Sequence, residues 1–137
     1  MSGPIEEHIQ KARQLLAEAE AEYQKAQQEV GGAVITTLCK SGEKGRLAVL
    51  EAAEAFLLKQ GIAQDELPET SLDIEWEVTS LLPFYENHDI KDYYWLLNMF
   101  QEEMLILMFE YVPKHFEELR KFIDKIEAAP AQDRAAE

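Results

Sequence analysis

A nearly unbroken apolar run from Tyr93 to Val112 sets the terms for any fold this chain can adopt. On a helix, its polar residues make only a narrow stripe through Asp92 or Lys91, Asn98, Glu102 and Glu103, so the helix needs cover over most of its circumference. The run has the length of a membrane span. Carboxylates at membrane depth are costly, however, and Glu102, Glu103 and Glu110 interrupt it. It reads as the buried helix of a soluble protein.

Charge concentrates on the same stretch. Residues 60–113 hold twelve acids against one base, Lys91, out of a chain total of −14. Both tryptophans and four of the five tyrosines fall there too. A field of this sign disfavours direct nucleic-acid binding and anionic membranes, and favours basic protein partners. It also keeps the chain soluble.

With 137 residues the chain is one domain, large enough to fold without disulfides or metal. Residues 1–128 are expected to form it, with 129–137 as a disordered tail lacking any apolar pattern. The lone Cys39 excludes an intramolecular disulfide, and no signal-peptide pattern opens the sequence, which fits a cytoplasmic protein.

The N-terminal third carries a heptad seam: Ile5, Ile9, Ala12, Leu16, Ala19, Tyr23, Ala26, Val30, Ala33 and Thr37. Pro4 suits a first helical position, and Glu6 and Glu7 suit the positive end of the dipole. Gly31-Gly32 interrupts the seam, yet the seam passes through in register, so the spacing predicts a continued or kinked helix. Lys40 to Gly45 reads as the first loop and Glu43 to Gln60 as the second helix, with Gly61 as its C-cap. Ile62 to Glu69 reads as an acidic linker.

From Ser71 to Leu82 two periods compete, and the helical one is preferred because a lone strand would lack a ladder partner. Pro83 ends it, Glu86 to Asp89 turns, and the long helix follows from Ile90. Pro113 kinks or breaks that helix, and Phe116, Leu119, Ile123 and Ile126 share one face beyond it. The predicted fold is all-α: a bundle of four to five helices, with a long N-terminal helix and a Pro113-kinked long C-terminal helix.

Catalytic patterns are absent. No Glu precedes a His by three positions, as a carboxylate-bridged dimetal bundle requires. His8, His88 and His115 lie on separate segments. His8 reads as part of an exposed first turn and His88 as part of a turn, both solvated. Ser41 to Arg46 has glycines and bases ahead of a helix but fails the P-loop spacing. No catalytic residue, metal ligand or cofactor is assigned.

The expected function is a non-enzymatic, acidic, helical protein-interaction module of the inhibitor, immunity/antitoxin, chaperone or adaptor type, binding a basic partner. Its contact residues are expected to be Asp65, Glu66, Glu69, Asp73, Glu75, Trp76, Glu77, Tyr85, Tyr93, Tyr94 and Trp95. The carboxylates would supply steering and the aromatics would act as anchors. A homodimer would cover the alanine-rich seam and the over-apolar helix. The alternative is a carboxylate/His metal- or small-ligand-binding bundle using Glu103, Glu110 and His115.

Overall fold

The computed structural model describes residues 3–67 and 92–129, with the side chains of 92–94 and 102 excepted. Helix α1 spans Pro4–Gln27. Proline needs no amide donor at the first helical position, and Glu6 accepts a hydrogen bond from the Gly3 amide at 3.1 Å. The seam is buried as expected from Ile9 through Ala26, with Leu15 added to it.

The seam does not continue. Val30 and Ala33 are exposed, and the chain turns through Gly31 at φ +67, ψ −145 before helix α2, Gly32–Lys59. The expected through-helix is therefore two helices. Glycine adopts this backbone region readily and other residues do not. The Ser41 hydroxyl donates to the Ala19 carbonyl at 2.7 Å and Lys44 pairs with Glu18, so α1 and α2 lie antiparallel as a hairpin.

The expected loop at Lys40–Gly45 is also overturned, because these residues lie inside α2 with Ser41, Gly42 and Gly45 buried. Phe100 occupies the space their missing side chains leave. A Cβ on Gly42 would come 2.6 Å from the Phe100 carbonyl oxygen, and one on Gly45 would come 2.7 Å from Phe100 Cγ. Close packing outweighs the cost of about 1 kcal/mol for each helical glycine. The C-terminal end of α2 has Lys59 in the last turn as expected; Gln60 is the cap, one residue earlier than expected, and Gly61 follows it at φ +89.

The apolar run is not one helix. It forms α3, Asp92–Met99, then α4, Glu102–Leu107, then a 3₁₀ turn at Phe109–Tyr111. Gln101 is extended at φ −80, ψ 149 between α3 and α4. Neither glycine nor proline marks this break; it falls where Phe100 is seated against α2. Among the described residues no helix is long and apolar enough to cross a membrane.

Helix α5, Val112–Ala128, begins with Pro113 in its first turn, so the chain changes course at the expected proline. Its inward face is Phe116, Leu119, Ile123 and Ile126, joined by Val112, His115 and Phe122. Arg13 bridges to Asp124 and Glu127 at 2.9 and 2.8 Å, and Arg120 to Glu20, fastening α5 along α1. At the far end the buried Lys59 ammonium donates to the Glu127 and Ala129 carbonyls, each at 2.6 Å. A cation there satisfies carbonyls at the negative end of the α5 dipole. Burial lowers its pKa, opposed by Glu127 and Glu6.

Among the described residues the architecture is thus an all-α bundle: a long hairpin, two short helices across α2, and a long C-terminal helix closing the core. The segments 68–91 and 130–137 lie outside the described residues, and with them the expected helix at 71–82, the turn at 86–89 and most of the tail.

Candidate functional site

Breaking the apolar run into short pieces leaves part of it uncovered. Trp95 is 40% exposed, Ile106 44%, Leu107 76% and Tyr111 53%. Trp95 and Tyr111 stand with Met108, Lys114, His115 and Glu118 around an open cleft of about 530 Å³. Helix α3 supplies Trp95, the 3₁₀ turn supplies Tyr111, and the first two turns of α5 supply the charged rim and the histidine.

His115 is buried beside this cleft. Its ring meets Trp95 edge-on at 5.4 Å and Phe100 at 6.5 Å. Its Nδ1 has no hydrogen-bond partner among the described residues, and burial pushes the pKa down, so the ring is neutral near pH 7. The Tyr23 hydroxyl donates to the Phe109 carbonyl and holds the adjoining turn against α1. Burial, followed by the nearby Glu110 charge, raises the Tyr23 pKa.

Of the expected contact residues, Trp95 is on this face. Asp65 and Glu66 are exposed on a 3₁₀ turn at Gln64–Glu66. That turn follows Lys59, which sits at the C-terminal end of α5, whereas Trp95 packs at the N-terminal end. The two groups are separated by roughly 18 Å of α5 axis. Tyr93 and Tyr94 belong to α3, their side chains undescribed, and Glu69, Asp73, Glu75, Trp76, Glu77 and Tyr85 lie outside the described residues.

Ile106, Leu107, Met108 and Tyr111 were not among the expected contact residues. Ile106, Leu107 and Tyr111 are exposed and follow the break at Phe100, which has no local signature. The ligand set Glu103, Glu110 and His115 is not assembled: both glutamates are exposed, whereas the histidine is buried.

A different constellation forms near the start of α1. His8 Nδ1 lies 2.6 Å from Glu51 Oε2 and 3.2 Å from Glu54 Oε2. Lys11 Nζ is 3.2 Å from the other Glu51 oxygen, and the Gln64 amide nitrogen is 3.4 Å from His8 Nε2. The three side chains His8, Glu51 and Glu54 are 16%, 15% and 20% exposed, so His8 is not the solvated first-turn residue expected. Burial raises the Glu54 pKa and repulsion from Glu51 adds to it, against the opposing pull of His8 and Lys11. An imidazole and two carboxylates from two helices can hold a proton between them or share a cation.

No family model, curated protein or solved structure matches the chain.

Proposed function

We propose that this chain is a non-enzymatic protein-interaction module whose Trp95–Tyr111 face receives a basic partner carrying apolar side chains. The observation that carries this reading is the exposure of Trp95 and Tyr111 at a cleft rimmed by Lys114 and Glu118, with Ile106 and Leu107 also exposed on the neighbouring α4. Aromatic and aliphatic anchors in a partly enclosed site are the residues that dominate interface energetics. The acid excess of residues 60–113 supports the basic character of the partner, because complementary charge raises the encounter rate and rejects acidic competitors.

The test is capture by tagged protein from its native lysate at low and high salt, run beside a Trp95→Ala/Leu107→Ser/Tyr111→Ser variant of unchanged helicity. A basic protein held by wild type at low salt, released at high salt and lost from the variant is the expected result. Equal capture by the variant sinks the reading. Self-association through the same face competes with it, and a monomeric mass by sedimentation at high concentration removes that competitor.

A further inference from the structure

We propose that His8, Glu51 and Glu54 form a binding site for a divalent transition ion of the zinc type, clamped across the α1–α2 hairpin. The donor atoms His8 Nδ1, Glu51 Oε2 and Glu54 Oε2 all lie within 4.8 Å of one another. Glu51 and Glu54 are three apart on α2 and so share one face, while His8 reaches them across the seam from α1. Both backbones are fixed by buried neighbours, Ile9 and Ala12 on one side and Ala52, Ala53 and Ala55 on the other. The donors are thus positioned by the core rather than by loops.

The two spacings from His8 lie close to those the ion needs. Tetrahedral zinc with bonds of about 2.0–2.1 Å places its ligands roughly 3.3 Å apart. The His8–Glu54 separation of 3.2 Å already matches. The His8–Glu51 separation of 2.6 Å is that of a proton-sharing pair, and it opens by about 0.7 Å, within reach of side-chain rotation, when a metal replaces the proton. A nitrogen donor with only two carboxylates favours zinc and its neighbours over calcium or magnesium, which take six or more oxygens.

Two further features separate this cluster from a plain acidic patch. The first is the Gln64 side-chain amide beside His8 Nε2. A metal on Nδ1 leaves the proton on Nε2, and the amide, turned over, offers its oxygen to that N–H. Metal-bound histidines use such an outer partner to fix ring and tautomer. The second is charge: among the described residues, two partly buried carboxylates face one another with the exposed Lys11 and the His8 ring to balance them. A divalent ion neutralises both. Three protein donors leave one tetrahedral position for water or for a donor from elsewhere.

The experiment uses full-length protein stripped with chelator and titrated with zinc chloride, read by calorimetry and by thermal unfolding. The expected result is one zinc per chain, with Tm raised by roughly 10 °C when free zinc is ~100-fold above its Kd. His8→Gln and Glu54→Gln should each abolish the saturable binding and the zinc-dependent rise, whatever their own Tm. Glu103→Gln, an exposed carboxylate elsewhere, should keep both. Cobalt should give the intense visible absorption of a tetrahedral site in wild type and lose it in His8→Gln. Absence of saturable zinc binding by wild type overturns the proposal. So does undiminished binding by His8→Gln, or an equal rise with calcium or magnesium.

Discussion

Gly42 and Phe100 are matched by shape. The helix there would be more stable with alanine if only backbone preference counted, by about 1 kcal/mol. A Cβ at Gly42, however, meets the Phe100 carbonyl oxygen at 2.6 Å and Leu105 Cδ1 at 2.8 Å, and the carbonyl belongs to backbone that cannot swing aside. Gly42→Ala should therefore destabilise by about 1–3 kcal/mol in urea denaturation, the cost of overpacking. Gly32→Ala, with nothing within 4 Å of the added carbon, should be neutral or stabilising. This is where the sequence misleads: Ser-Gly-x-x-Gly has the composition of a loop, and only the tertiary partner makes it a helix. His115 makes a different point. The unfolded chain takes up a proton near the ordinary 6.5, but the folded one only at lower pH, because burial beside Trp95 and Phe100 disfavours the imidazolium. Between those points unfolding takes up protons, so stability falls as pH falls through the window and levels below the folded pKa. His115→Leu should flatten that part of a Tm-against-pH profile relative to wild type.

The connection between α1 and α2 runs against the heptad spacing on either side of it. A seam of small and apolar residues ran unbroken to Thr37, and its first seven positions did face the hairpin or its edge. Val30 and Ala33 kept the register by coincidence while pointing into solvent. Heptad spacing reports a helical face, and it carries no information on whether the chain has doubled back. Gly31 does carry it: φ +67 with ψ −145 is open to glycine and strained for alanine. Gly31→Ala should cost about 1–3 kcal/mol, read as a shifted urea midpoint with unchanged slope. Elements closed by their own chemistry were legible: Pro4 and Pro113 at helix starts, Gly61 beyond an end, and the inward face of α5. The break at Phe100–Gln101 was not, since it arises from how Phe100 seats on α2.

At the scale of the molecule, greasy surface and steering charge share one stretch of sequence, but the described parts of it lie at different ends of the fold. The apolar face collects at the α3–α5 end, whereas Asp65 and Glu66 sit at the opposite pole with the His8 cluster. The His8–Glu51–Glu54 constellation was invisible in sequence because His8 stands more than forty positions from both glutamates and meets them only once the hairpin forms. At that pole one buried ammonium also gathers the fold together: Lys59 grips the last carbonyls of α5 and feels the charge of Glu6 at the start of α1. The start of the first helix and the end of the last therefore lie toward the same cation. A short tether joining them would ask little of the backbone, and the exposed bend at Val30–Gly31 offers a place to cut, so the fold is a ring in all but covalent connection, free to be opened elsewhere.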